Sequence, residues 1–366
     1  MTLAGLRVAI VGPLPPPEGG MANQTRQLAE LLEREGAEVR LVRTNAPYRP
    51  SFVQQLRFVR EPFRLVPYVF QLWHAAADAD VFHVMANSGW AWHLRAAPAV
   101  LIARARGISC VVNYRGGEAR EFLERSSPAV LKIMAYASAL VVPSAFLQGV
   151  FERWGVRSSV VPNIIDLERF RPDGSSKRYA HLVVARGLER IYDIPTALRA
   201  FALIRREVPE ARLTVAGSGP ERAALVRLSV DLAIADAVNF CGRLDRDEMA
   251  ALYRSASVVL NPSRVDNMPN SVLEAMASGA PVVSTNAGGV PLILRHDVCG
   301  ILVPPGDQVA MATAALRLLR DRAYANRLSQ AALQEVQQYA WPQVRQRWAT
   351  VYASARAGAR IEVKAA

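Results

Sequence analysis

Between Asn261 and Gly289 the chain reads NPSRVDNMPNSVLEAMASGAPVVSTNAGG. Its first residues close an apolar run, Val258–Leu260, and Pro262 stops a buried strand there. A polar loop follows, holding Asp266, Asn267, Met268, Pro269 and Asn270. Asn270 is a helix-capping residue type, so a helix is expected over Ser271–Ala277 with Asn270 as its cap. The amides at such a start can hold a diphosphate. Glu274 lies about one turn in, where its carboxylate can accept hydrogen bonds from the vicinal hydroxyls of a ribose. Asp266 hangs from the preceding loop and can grip sugar hydroxyls. The same letters also describe a capped helix beside a solvated acid. A second apolar run, Val282–Ser284, completes a strand–helix–strand unit, and strands joined through a helix lie parallel.

That rhythm extends in both directions. Upstream lie strand Leu182–Ala185, helix Pro195–Glu207, strand Leu213–Ala216, strand Val238–Cys241 and helix Glu248–Ser255. Near the start, strand Arg7–Val11 runs into a Gly/Pro loop. A helix follows with the apolar face Ala22, Thr25, Leu28, Ala29 and Leu32, ended by Gly36. Strands Val39–Val42, Val81–Val84, Cys110–Asn113 and Ala139–Val142 come next. Between Asn163 and Gly174 the rhythm breaks at Pro162, Pro172, Asp173 and Gly174, then restarts. The expected architecture is α/β: two doubly wound Rossmann-like domains facing across a cleft. Residues 1–170 form the first, residues 171–340 the second, and a helix in 341–366 crosses back to the first. In such sheets ligands bind beyond the carboxyl ends of the strands.

Of 366 residues 51% are apolar and 21% charged, a globular balance, and 44 Lys and Arg stand against 32 Asp and Glu, a net +12. That excess suits an anionic partner: nucleic acid, a phosphorylated substrate or an acidic membrane. Three scattered cysteines, Cys110, Cys241 and Cys299, make neither a disulfide framework nor a zinc site; Cys110 and Cys241 sit in apolar runs and read as buried thiols, which fits a reducing compartment. The start lacks the pattern of a secretory leader, and a cytoplasmic location is expected. The most membrane-like window, Ala129–Val150, contains Lys132 and a Pro143-Ser144 break and reads as a core helix and a short strand.

The stretch at 261–289 resembles the donor-binding signature of the retaining glycosyltransferase family 4, of the GT-B fold. There an acidic residue, seven others and a glutamate precede a run like EAMASGAPVV. Here these are Asp266 and Glu274, with Asp266 one carbon shorter than the usual glutamate. GPLPPPEGGMANQTRQLAELLEREGAEV, VVPSAFLQGVFERWGVRSSVVPNIIDLERFRP, VAGSGPER, VNFCGRL and CGILVPPGD resemble further landmarks of the family in the right order, over most of the chain.

The resemblance implies roles for further residues. Gly19 and Gly20 stand in the loop that in the family faces donor phosphates or acceptor, where glycine lets a backbone come close. Arg186 stands where the family's Gly-Arg-Leu arginine neutralises the diphosphate, as a guanidinium forking onto two oxygens can. The family's following lysine is absent from RGLERIYD, and Arg190 is its stand-in. Gly217 and Gly219 form a strand-to-helix turn close to the nucleotide. Where the family often has a histidine near the reacting sugar, this chain has VVNYRGGEA, so Tyr114 and Arg115 become acceptor-side candidates with Asn87 and Ser88. His83 remains of a His-x-His pattern, with Met85 in second place; a histidine inside a strand is more often packed core.

The implied reaction moves a sugar, with retention, from a nucleoside diphosphate sugar to a hydroxyl. UDP is the commonest carrier, no other cofactor is called for, and a carbohydrate or lipid-linked acceptor is expected. Asp266, Arg186 and Arg190 are the catalytic candidates; no general base is assigned. A nucleotide-sugar epimerase of the same fold and a binding protein with lost activity are the rivals. A dehydrogenase is disfavoured because the first loop is not G-x-G-x-x-G. Asp245-Arg246-Asp247 resembles a metal motif of another transferase fold but reads fully as first-turn acids of a helix, so no metal is assigned. Gln54–His74 combines Arg57, Arg60 and Arg64 with Phe58, Phe63, Tyr68, Phe70 and Trp73. It suits peripheral contact with an anionic membrane, at its inner face, or a helix packed on its own domain. Nucleic acid is not an expected partner.

Overall fold

The computed structural model describes residues 2–16, 19–48, 50, 52, 55–56, 60–174 and 178–362. The chain divides into two units: Met1–Ile164 with Trp341–Ala366, and Ile165–Ala340.

Unit 1 runs β1 (Arg7–Gly12), α1 (Gly20–Arg34), β2 (Glu38–Arg43), α2 (Arg60–Asp78), β3 (Val81–Ala86), a π-helical turn Trp92–Ala96, α3 (Ala97–Ala105), β4 (Ser109–Tyr114), α4 (Ala119–Met134), β5 (Ala139–Val142), α5 (Ala145–Glu152) and β6 (Ser159–Val160). Its sheet is parallel throughout, in the order β2-β1-β3-β4-β5-β6. β3 is buried at every position, as a strand covered by helices on both faces must be. All five residues of the apolar face assigned to the first helix are buried, and α1 begins at Gly20 rather than near Ala22. The window Ala129–Val150 is the end of α4, β5 and part of α5. No described helix is long and apolar enough to cross a membrane.

Unit 2 runs β7 (His181–Ala185), a 3-10 turn Arg190–Tyr192, α6 (Ile194–Glu207), β8 (Arg212–Ala216), α7 (Arg222–Asp231), β9 (Val238–Gly242), α8 (Arg246–Ser255), β10 (Val258–Asn261), α9 (Asn270–Ala277), β11 (Val282–Thr285), β12 (Ile301–Val303), α10 (Gln308–Arg320) and α11 (Arg322–Glu335). This parallel sheet has the order β12-β11-β10-β7-β8-β9. The chain enters unit 2 at Ile165, earlier than the break expected at 170/171. Ile165 and Phe170 are buried in the unit 2 core, with the Phe170 ring 6.2 Å from that of Tyr253, so the Pro and Gly punctuation at 172–174 lies inside the unit.

The last helix, α12 (Trp341–Arg356), belongs to unit 1. Its Trp348 and Tyr352, each 1% exposed, cover His83 on β3. The Trp348 ring lies 4.7 Å from the imidazole, Tyr352 Oη 2.8 Å from Nδ1, and Asn113 Nδ2 3.0 Å from Nε2. An amide donating to Nε2 leaves the proton on Nδ1. Burial, aided by the Arg115 charge, holds the His83 pKa down at about 3, so this histidine is neutral core. Cys110 and Cys299 are buried and Cys241 is half-buried, all three free.

Each sheet has one place where the strand order reverses: between β1 and β3 in unit 1, and between β7 and β10 in unit 2. There the loops leaving the carboxyl ends run to opposite faces and open a crevice, the usual ligand position of such sheets.

Candidate functional site

The unit 2 reversal is occupied by Arg186. Its backbone continues β7, with its amide donating to Ala216 O at 3.0 Å. Its guanidinium turns across the strand ends: Nη2 donates to Asp266 Oδ2 at 2.5 Å, and Nη1 to Ser271 Oγ at 3.2 Å. The same group lies 4.1 Å above the Tyr192 ring. One cation therefore pins the loop after β7, the loop after β10 and the first turn of α9. Both side chains of the ion pair are 10% exposed. Burial raises the Asp266 carboxyl above its ordinary range, against the pull of Arg186. Arg186 Nε is buried without a hydrogen-bond partner among the described residues.

The expected cap at Asn270 is corrected. Asn270 is the first helical residue, and Pro269 holds the N-cap position with no side-chain bond. Pro269 offers its carbonyl instead, to Val272 N at 3.2 Å and Leu273 N at 3.3 Å. The backbone at Pro269 is extended, with φ −67 and ψ 118, as an N-cap residue requires. A helix start without a side-chain cap is the condition under which it binds an anion. Asn267 and Met268 are buried in the loop leading to it.

Glu274 sits one turn into α9. Tyr253 Oη donates to its Oε2 at 3.4 Å. Burial pushes its carboxyl up to about 7; the Arg246 charge, the Tyr253 hydrogen bond and the Arg186 charge oppose that rise. Its half-buried carboxyl can accept hydrogen bonds from hydroxyl donors.

Gly217 and Gly219 explain how the loops come so close. Gly217 has φ +143, its amide donates to Gly242 O at 2.7 Å, and a Cβ there would stand 1.9 Å from Arg186 O. A Cβ on Gly219 would stand 2.3 Å from Leu188 O. Both glycines thus pack the β8 loop against the loop carrying Arg186. Arg190 is exposed in its 3-10 turn and makes no ion pair among the described residues. Arg264, which sequence reasoning passed over, pairs with Asp193 at 2.8 Å beside that turn.

In unit 1 the acceptor-side candidates do come together, at the ends of β3 and β4. Ser88 Oγ is 2.7 Å from Tyr114 Oη, and Ser88 N donates to Asn87 Oδ1 at 2.8 Å. Arg115 N donates to Ala86 O at 2.9 Å, and its Nε reaches Asn113 Oδ1 at 3.3 Å. Burial lowers the Arg115 pKa to about 10, which leaves it charged. Gly116 was missed: a Cβ there would stand 2.4 Å from Ser88 Oγ and 2.7 Å from Asn87 Oδ1. Only the glycine pair GG in the sequence hinted at this close approach. Across the strand-order reversal, Gly19 is the extended N-cap of α1, and among the described residues none but its chain neighbours lies within 4 Å of where its Cβ would be. Gly20 opens α1. The extended backbone itself therefore does not demand glycine at 19.

Asp245 caps α8: its carboxylate accepts from Asp247 N and Glu248 N, and Glu248 returns a bond to Asp245 N. Among the described residues no group of three or more His, Cys, Asp or Glu stands close enough to hold a metal ion.

Two parallel sheets of this order, each with polar groups gathered at its reversal, define the GT-B fold. Solved structures share it. Sucrose-phosphate synthase from Thermosynechococcus elongatus superposes with TM-score 0.78 at 21% identity, over 97% of this chain and 100% of that one. HepE from Anabaena, in complex with UDP-glucose, gives 0.74 at 16%, over 95% and 100%. The family model Glycosyltransferase Family 4 matches residues 18–169, and the model Glycosyl transferases group 1 matches residues 180–321. The chain belongs to this glycosyltransferase family. Among curated relatives, the GDP-mannose-dependent alpha-(1-6)-phosphatidylinositol monomannoside mannosyltransferase of Mycobacterium tuberculosis is 34% identical over 190 residues, 45% of this chain and 48% of that protein. The N-acetyl-alpha-D-glucosaminyl L-malate synthase of Bacillus anthracis is 31% identical over 179 residues, 49% and 45%. The chain spans about half the length of the curated relatives it matches.

Proposed function

We propose that the protein is a retaining glycosyltransferase that moves a sugar from a nucleoside diphosphate sugar to a hydroxyl of a carbohydrate or lipid-linked acceptor. The observation that carries this reading is the Arg186 guanidinium at the unit 2 strand reversal, beside the start of α9, the helix that carries Glu274. A diphosphate there gains a cation and a helix terminus, and its ribose gains the Glu274 acceptor. In the transfer the bond from the anomeric carbon to the diphosphate breaks and a bond to the acceptor oxygen forms. The acceptor proton leaves on a phosphate oxygen, so no side-chain base is required. Arg186 lowers the barrier by holding the charge that grows on the leaving diphosphate. Ser88, Tyr114, Asn87 and Arg115 would bind the acceptor.

UDP is the proposed carrier, supported by the UDP-glucose in the HepE structure; the mycobacterial relative is named for GDP-mannose. We place the protein in the cytoplasm, at the inner face of a membrane. Thermal-shift measurements with UDP, GDP and ADP, followed by mass-spectrometric detection of donor consumption, test the reading. UDP at about 100 times its dissociation constant should add about 2.7 kcal/mol. No stabilisation by any of the three would overturn it, and conversion of the donor to its epimer would make the protein an epimerase.

A further inference from the structure

We propose that α2 is an interfacial helix that seats unit 1 on an anionic lipid bilayer, through Phe63, Val66, Phe70 and Trp73. The helix buries one face in its own domain: Tyr68, Leu72, Ala75 and Ala76 are at most 4% exposed. A helix that is only a domain cover turns polar residues outward. α2 instead carries a second apolar face. Phe63 is 47% exposed, Val66 68%, Phe70 66% and Trp73 46%. Their spacing of three, four and three residues puts them in one stripe, roughly 15 Å long at about 1.5 Å per residue. Val69, at 39%, borders it.

The surroundings favour lipid over a protein partner. Arg106 stacks on Trp73, its guanidinium 4.8 Å from the ring, an amphipathic pair of the kind found where acyl chains meet headgroups. Leu101 on α3 is 43% exposed. Charge is divided unequally: unit 1 holds 23 Lys and Arg against 13 Asp and Glu, and unit 2 holds 21 against 19. Almost the whole positive excess therefore rides on the unit that bears the stripe, which is what attraction to an acidic leaflet needs. Of the segment read as membrane-facing from sequence, Gln54, Arg57 and Phe58 lie outside the described residues, and Arg64 lies instead over the Tyr48 ring at 3.8 Å.

The inference deepens the proposed function, resting on it only for the acceptor being lipid-linked; attachment itself needs no transfer. The test is flotation with vesicles of phosphatidylcholine alone and of phosphatidylcholine mixed equally with phosphatidylglycerol. The full chain should float with the acidic vesicles, less so as salt is added. The triple variant F63S/F70S/W73S should lose at least about tenfold in partitioning, since each exposed aromatic contributes apolar area to the contact. Val230→Ser, at a 62% exposed site on α7 of unit 2, should change nothing. UDP-induced thermal shifts, read on the same samples, should be equal in all three proteins and so report separately on the donor site. Failure of the parent to prefer acidic vesicles, or equal flotation of the triple variant, overturns the inference. A parent that self-associates through this face, becomes monomeric in the triple variant and ignores lipid overturns it as well.

Discussion

Arg186 and Asp266, 80 positions apart in sequence, occupy each other across a 2.5 Å ion pair. The cation assigned to the diphosphate and the acid assigned to the sugar are thus one unit in the protein alone. Donor binding has to share Arg186 between its phosphates and Asp266, or to exchange one for the other.

Asp266→Asn keeps the shape and removes the charge, leaving a guanidinium in a pocket that is 10% exposed. Loss of a charged hydrogen bond costs about 1.5–3 kcal/mol, so the melting temperature should fall. UDP should then stabilise the variant more than the parent, because its phosphates restore the missing anion. Turnover should drop at least about tenfold, or about 1.4 kcal/mol of transition-state stabilisation. Differential scanning fluorimetry with and without UDP checks this; equal shifts in both proteins would separate Asp266 from the Arg186 site.

Glu274 gives a pH dependence. Its pKa is raised from 4.5 to about 7 in the folded protein, so folding favours its protonated form. The stability it contributes is complete below the unfolded value and is lost as pH rises through about 7. Glu274→Gln has no such loss, so its melting temperature relative to the parent should rise between pH 5 and pH 8. UDP affinity should improve through the same range in the parent, as the carboxylate forms, and stay flat in the variant. Melting curves at the two pH values that run parallel would remove Glu274 from this account.

Gly217→Ala should cost more than about 1 kcal/mol, since φ is positive and the new methyl meets the Arg186 carbonyl. UDP binding should weaken with it. Gly174→Ala is the control: φ there is also positive, but among the described residues none beyond its chain neighbours lies within 4 Å of where its Cβ would be. It should lose stability without losing UDP affinity, as calorimetry and titration would show.

Ser88→Ala leaves the buried Tyr114 hydroxyl without its partner at a cost of about 1–3 kcal/mol. If these groups hold the acceptor, transfer should fall while the UDP thermal shift stays that of the parent. A changed UDP shift would place Ser88 on the donor instead.

Much of this was legible. Strands such as Leu182–Ala185 are continuous apolar runs, and the face of α1 repeats at helical spacing, so period alone locates them. The placement of Asp266 and Glu274 followed from one strand, one loop and one helix start. What escaped has physical causes. Nothing local marks Pro269, rather than Asn270, as the N-cap, because a carbonyl does the work there. β6 and β12, of two and three residues, are too short for a pattern to repeat. The Arg186–Asp266 pair and the seat of His83 under α12 are long-range matters: the His83–Tyr352 contact joins residues 269 apart.

That last contact also dictates an order of events during synthesis. α12 follows all of unit 2 in the chain, yet it is the lid on the unit 1 sheet. A nascent chain exposes the pocket around His83 as soon as β3 and β4 pair, and the Trp348 and Tyr352 that fill it are still untranslated. At about 5–20 residues per second, residues 165–356 take roughly 10–40 s to emerge. Unit 2 has everything it needs to fold within that interval, down to the 3.0 Å bond from Ile165 N to Tyr339 O that joins its ends. The unit begun first is therefore the one whose core is completed last.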